Sequence, residues 1–226
     1  MKRRDFIKTT AASAIAVCGT ELAQARPNLE PAPNAVGMLF DSTLCVGCKA
    51  CVSKCKEVNG MPPVIEGDQQ SWDSARDLSD KTLNVIKVYK NGTAEAKDTE
   101  IDGFCFEKRS CMHCVDPGCV SVCPVTAMRR DPNTGIVTYH ADACIGCRNC
   151  MVGCPYGARS FNWVDPRPAI NEKDFNPQFP TRTKGVVEKC NFCAERIARG
   201  EYPACVEASN GAILFGDLDD PDSDVR

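Results

Sequence analysis

Apolar and polar positions alternate in only a few short runs of this chain. NVIKVYKNGTAEAK (84–97) has an apolar alternation, an Asn91-Gly92 turn and a second run, which predicts a β-hairpin. FCF (104–106) predicts a short strand. The stretch CPVTAMRRDPNTGIVTYHADAC, from Cys123, predicts a short helix after that cysteine and then a hairpin turning at 132–135. AILFGDLDDPDSDVR predicts a last short strand and an acidic tail at 220–226. Residues 26–37 are Pro-rich and read as an extended lead-in, and 155–189 reads as loop around Pro155, Pro166, Pro168, Pro177 and Pro180. No apolar run approaches the ~18 residues of a membrane span.

What the periodicity leaves unexplained is cysteine. The chain has 226 residues, 17 of them cysteine, with 7% aromatic residues, and apolar packing alone is a thin basis for its fold. Fifteen of the cysteines fall in four groups: Cys45, Cys48, Cys51, Cys55; Cys111, Cys114, Cys119, Cys123; Cys144, Cys147, Cys150, Cys154; and Cys190, Cys193, Cys205. Cys18 and Cys105 stand outside them, and Cys105 is expected to be a buried free thiol. The repeated unit is a ligand loop, not a solenoid turn. Net charge is −3 with no basic run, which speaks against a nucleic-acid partner.

Group three, CIGCRNCMVGCP, is C-x2-C-x2-C-x3-C-P, the ligand run of bacterial ferredoxins. Three thiolates within seven residues can wrap one face of a cubane. Small Gly146 lets backbone approach the cluster sulfides. The fourth cysteine is expected to begin a helix and reach the neighbouring cluster, with Pro155 setting the backbone there. Group one, CVGCKACVSKC, keeps the spacing but ends in Lys56; group two, CMHCVDPGCVSVCP, stretches the middle gap. Zinc would leave the third cysteine of each run unexplained. Disulfides fit poorly, because vicinal C-x2-C-x2-C runs are bad partners for one another.

The N-terminus reads as an address. MKRRDFIK carries Arg3-Arg4, TTAASAIAV is weakly apolar, and Ala23-Gln24-Ala25 is a small-x-small cleavage signal. This is the plan of a twin-arginine export peptide over 1–25, a route for proteins that fold before export. Its removal would leave a net charge near −5 and would take Cys18 with it. The two signals agree, since bare thiols in an oxidising compartment would pair before iron reached them.

GMLFDSTLCVGCKACVSKC, the C-P endings and CPVTA…DPNTGIVTY together resemble the four-cluster ferredoxin-like iron–sulfur subunits of membrane-bound respiratory oxidoreductases. These runs are similar above all to the hydrogenase-2-type nickel–iron hydrogenase iron–sulfur subunits. ILFGDLDDPDS is more similar to molybdopterin-enzyme subunits. The resemblance implies an α+β fold of two nested bacterial-type (2×4Fe–4S) ferredoxin-like modules with loop and hairpin insertions over 38–219. The inner module would span about 105–165, the outer about 38–60 plus 186–216, with an insertion at 61–104. It implies four ligand sets. Cys111, Cys114, Cys119 and Cys154 form one; Cys144, Cys147, Cys150 and Cys123 its neighbour; Cys190, Cys193, Cys205 and Cys55 a third. The fourth set has Cys45, Cys48 and Cys51 but lacks its last cysteine: where the family has C-x3-C-P-x-G-A, this chain reads CVEASNGA. Either Ser209 replaces the ligand or the cysteine is deleted. Three 4Fe–4S clusters are then expected, plus a fourth site that is 3Fe–4S, atypically ligated 4Fe–4S with Ser209 as a weak ligand, or empty.

The implied role is a relay in anaerobic respiration with no substrate site of its own. It would run between a large periplasmic catalytic subunit and an integral membrane quinone-reactive subunit, with the chain peripheral to the membrane through those partners. A free-standing soluble polyferredoxin is the alternative. His113 and His140 have no paired base or nucleophile nearby in sequence and read as surface or supporting residues. No Gly-rich dinucleotide fingerprint occurs.

Overall fold

The computed structural model describes residues 27–64, 75–166 and 183–226. The segment expected to be an export peptide, with Cys18, lies outside the described residues. In chain order the elements are β1 (Val36–Phe40), α1 (Ala50–Val58), β2 (Asn84–Lys90), β3 (Ala96–Lys97), β4 (Gly103–Ser110), α2 (Gly118–Ser121), β5 (Met128–Arg130) and β6 (Val137–Tyr139). They continue with α3 (Asn149–Val152), β7 (Ser160–Phe161), β8 (Val187–Glu188), α4 (Ala194–Ile197), α5 (Ala204–Glu207) and β9 (Ile213–Asp217). Helices and strands are mixed, and both are short.

Four small sheets result. β1 pairs antiparallel with β9, Phe40 opposite Ile213, so the two ends of the described chain close on each other. The lead-in is tied down before β1, with Asn34 N–H donating to Asn133 O (2.9 Å) and Val36 N–H to Thr134 O (3.3 Å). β5 and β6 form the expected hairpin, and β7 pairs antiparallel with β8. The tail after β9 folds back, with Leu218 N–H on Ala35 O and Arg226 Nε on Leu218 O.

Three local expectations are corrected. The 84–97 hairpin does not form. β2 pairs instead with β4, and β3 joins the far side of β4 in parallel, giving the order β2-β4-β3. TAEAK offers no large apolar side chain to β2, whereas β4 sets Phe106 opposite Val88 and Cys105 opposite Tyr89. Asn91 N–H therefore bonds Gly103 O, beyond the turn. The FCF strand is accordingly the core of an eight-residue strand.

Next, no helix follows Cys123. α2 precedes it, and Pro124 and the left-handed Thr126 (φ 52°) force a turn there. Likewise α3 ends before Cys154, which opens a turn closed by Gly157 N–H on Cys154 O. The spacing of four between Cys150 and Cys154 is helical, but the helix lies inside that interval.

The core is built from the thiols themselves. One cluster packs Cys45, Cys51 and Cys205 with Val52, Ile86 and Ile213; a second packs Cys119 and Cys150 with Met128, Val137 and Val187. A third joins Cys55 to Met61 and Leu83. α1 packs on α5 and α2 on α3, so the first group meets the fourth and the second meets the third. Among the described residues no helix is long and apolar enough to cross a membrane.

Candidate iron–sulfur centres

Each ligand loop carries a left-handed residue at the same place, the one before the second cysteine. These are Gly47 (φ 72°), His113 (φ 45°), Gly146 (φ 70°) and Phe192 (φ 64°). That conformation turns the backbone N–H inward. Gly47 N–H and Phe192 N–H each approach the sulfur of the first cysteine of their loop, Cys45 and Cys190, at 3.4 Å. The His113 N–H does the same for Cys111.

Glycine is enforced in two of the loops. A Cβ on Gly47 would strike the Phe106 ring, and one on Gly146 would strike the Gly185 carbonyl oxygen. The other two loops place bulky residues there, and these meet: the His113 and Phe192 rings pack with centroids 4.5 Å apart, tilted by 39°. Mutual packing offsets strain that L-residues ordinarily avoid.

The thiols fall into sets that feel one another. Cys114 is pushed up by burial and then by Cys111, Cys119 and Cys154. Burial raises Cys150 to about 11, with Cys144 and Cys123 among its thiol neighbours. Burial raises Cys193 to about 12, followed by Cys190 and, more weakly, Cys205, while Cys55 is pushed up by burial and by Cys190, Cys205 and Cys193. Burial also raises Cys51 to about 11, with Cys205 and Cys45 beside it. Protonated thiols of this kind must release protons when they take a metal.

Two sulfurs run the other way. Burial raises Cys111, but the charges of Lys189 and Arg159 outweigh it and hold the thiol low. Cys123 is likewise raised by its surroundings but held low overall by the backbone N–H groups of Met128, Val125, Ala127 and Thr126.

Links between sets order them in space. Cys51 senses Cys205, Cys190 senses Cys111, and Cys150 senses Cys119. The groups therefore stand in a row: one, four, two, three. Cys48 in group one and Cys147 in group three are the exposed cysteines among the described residues, and they lie at the two ends. Exposed Val46 and Ile145 hold matching positions beside them.

The donor set fits iron–sulfur clusters. Soft thiolates are repeated, backbone N–H groups face sulfur, and buried polar atoms remain without a hydrogen-bond partner among the described residues, including His113 Nε2 and Arg159 Nε. No three His, Cys, Asp or Glu among the described residues are placed to hold a single metal ion.

The end of group one differs. Cys45, Cys48 and Cys51 face a cavity of about 140 Å³ walled by Phe40, Ile86, Ala208 and Ser209. The Ser209 hydroxyl donates to Val206 O at 2.7 Å and accepts from Ile213 N–H at 3.1 Å. It thereby stitches α5 to β9.

Sequence patterns missed several contributors. Arg159 contacts the sulfurs of Cys111 (3.3 Å) and Cys119. Asn59 donates to Cys55 Sγ at 3.6 Å, and Asn84 donates to Cys51 O. Lys189, fully buried, donates to Cys190 O at 2.6 Å and to Val137 O. A charge set within an otherwise apolar run, alone in GARSF and as a Glu-Lys pair in VVEKC, is the signal that could have found the two cations. His113 is held inside, its Nδ1 accepting from Val137 N–H at 3.0 Å, and burial keeps it well below the usual histidine range, hence neutral. His140 is exposed, and Cys105 is half-buried rather than buried.

Comparison with known proteins agrees with this geometry. Residues 103–169 match the 4Fe-4S dicluster domain. The iron-sulfur cluster-binding subunit of menaquinone reductase from Nitratidesulfovibrio vulgaris is 38% identical, covering 84% of this chain and 78% of that protein. Iron-sulfur subunit 1 of the Hdr-like menaquinol oxidoreductase of Archaeoglobus fulgidus is 34% identical, covering 100% and 88%. This chain belongs to that iron–sulfur subunit family. A further member, the hydrogenase-2 operon protein HybA of Escherichia coli O157:H7, is 43% identical over 96% of this chain, which spans 62% of HybA's length.

Proposed function

We propose that this iron–sulfur subunit is an electron relay. It would carry electrons between a periplasmic catalytic subunit, a hydrogenase or a molybdopterin enzyme, and a quinone-reactive membrane subunit. The observation that carries the reading is the row of thiol sets with an exposed cysteine at either end. Clusters, when bound, supply one-electron steps. The chain's own part is to space the sites, bury the middle ones and leave the ends accessible.

The ligand sets are those of two nested modules: Cys111, Cys114, Cys119 with Cys154; Cys144, Cys147, Cys150 with Cys123; and Cys190, Cys193, Cys205 with Cys55. The mutual electrostatic influence within each set supports this assignment. The fourth site has Cys45, Cys48 and Cys51 alone. Because the Ser209 oxygen is engaged by backbone, we read this site as a three-thiolate centre with no fourth protein ligand, best matched by 3Fe–4S. The paired arginines at 3 and 4 support export of the folded, loaded chain by the twin-arginine route.

Anaerobic isolation from the native membrane tests the reading. A large catalytic subunit should co-purify, with about 15 irons on this chain and an EPR signal of an oxidised 3Fe centre. A colourless or zinc-loaded protein would overturn the relay. A stable loaded monomer with no partner would favour a soluble shuttle instead. Cys154→Ser should disturb the same cluster as Cys111→Ser, and Cys123→Ser the same as Cys144→Ser.

A further inference from the structure

Arg159 is 6% exposed, yet among the described residues its side-chain partners are sulfurs and not carboxylates. Its guanidinium faces sulfur. Nη1 lies 3.3 Å from Cys111 Sγ, Nη2 hydrogen-bonds Cys119 Sγ, and Nε, also buried, has no acceptor among the described residues. The turn after Cys154 and the pairing of β7 with β8 hold it there, since Arg159 directly precedes Ser160 at the start of β7. One fork thus spans two sulfurs of a single proposed ligand set and leaves a third, buried N–H without an acceptor among the described residues.

We propose that Arg159 sets the potential of the cluster held by Cys111, Cys114, Cys119 and Cys154, raising it above what those ligands alone would give. The inference rests on the relay reading. A guanidinium keeps its charge at every pH a protein survives. Each one-electron reduction adds one negative charge to the cluster. A fixed positive charge in contact with two of its thiolates therefore stabilises the reduced form more than the oxidised form, and hydrogen bonds to sulfur act in the same direction. Burial keeps water from screening the effect.

Lys189 adds to it from the next site in the row. Its ammonium group donates to Cys190 O and Val137 O, and its charge reaches Cys111. An electron moving along the row would thus meet a favoured resting place at an interior site.

Arg159 is a positioning and charge-setting residue, and its test is a potential. EPR-monitored redox titration of the assembled holoprotein should compare wild type with R159K and R159M. In R159M one midpoint falls by at least about 59 mV, a tenfold change in the one-electron equilibrium, while the others stay in place. Cys154→Ser should disturb the signal that moves.

R159K keeps the charge but cannot reach both sulfurs at once. It should move the same midpoint in the same direction, by less than R159M does. If R159M fails to take up iron, R159K decides alone: a selective fall in that one midpoint supports the proposal, and an unchanged midpoint overturns it. Equal shifts at every cluster, or no shift in loaded R159M, would also overturn it. Failure of the relay reading would look different: wild type itself would show no 4Fe–4S signals, or would be a loaded monomer with no catalytic partner.

Discussion

Replacing Gly146 with alanine isolates what the ligand loop demands of its backbone. Two costs are visible. Gly146 sits at φ 70°, and a left-handed alanine costs ~1–2 kcal/mol. The new Cβ would also strike the Gly185 carbonyl oxygen and press on Phe161 Cε2 at 3.3 Å, an overpacking penalty of ~1–3 kcal/mol when the neighbour is backbone. Gly200 supplies the control. Its φ is 77°, and a Cβ there would meet nothing within 4 Å, so Gly200→Ala carries the first cost without the second.

At ~2–4 °C per kcal/mol for a chain of this size, Gly200→Ala should lower Tm by about 2–8 °C. Gly146→Ala should lower it by roughly twice as much, about 4–20 °C. Because a loaded metalloprotein need not melt in two states, the comparison belongs at one scan rate. The loss of cluster absorbance can be followed anaerobically, with iron counted beforehand. Equal shifts for the two variants, at equal iron content, would refute the steric reasoning. They would also refute the view that Gly146 is required by the approach of the 185 carbonyl.

Other outcomes follow from the same structure. Ser209→Ala should leave iron content unchanged while costing ~0.5–1.5 kcal/mol for each lost backbone contact, and Ser209→Cys should raise the iron count and abolish the oxidised 3Fe signal; EPR with iron analysis checks both. Chelating the iron should abolish the cooperative melt, since eight cysteines lie in the buried core and their loops have few apolar substitutes; circular dichroism and calorimetry of the iron-free chain would show it. Asp131 accepts from Thr134 N–H at 2.7 Å, from Asn133 N–H at 2.9 Å and from the Thr134 hydroxyl, and these bonds hold its carboxyl below the usual carboxylate range. Its contribution to the β5–β6 turn is therefore complete above its unfolded pKa of about 3.9 and lost as pH falls through the lower folded value, so Asp131→Asn should flatten that part of the acid-stability curve.

The cysteine groups were legible because chelation imposes spacing. C-x2-C is a distance along the chain that also sets a distance in space, so fifteen cysteines could be grouped as candidate ligands without coordinates. The β5–β6 hairpin was legible for a similar reason, as its turn chemistry is local. Pairing over longer intervals was not. The run 84–90 announced a strand, but alternation says nothing of the partner, and β4 outbid the nearer TAEAK because only it brought Phe104 and Phe106. The helices within groups two and three were placed one turn late, because the C-P ending was read as a helix start when it is a helix end.

The harder gap concerns positions where residue type conceals equivalence. Gly47, His113, Gly146 and Phe192 share one backbone conformation, and Gly47, His113 and Phe192 use it to present an N–H to sulfur, yet nothing in their side chains says so. In groups one and three the neighbouring wall comes so close that only glycine fits. In groups two and four the residues at this place, His113 and Phe192, pack on each other, and Cys190 feels Cys111 across the same seam. His113 on Phe192 packs the seam between groups two and four, close to the buried cations Arg159 and Lys189. The bulky residues at a glycine position thus mark the two middle groups of the row, and the glycines mark the two end groups.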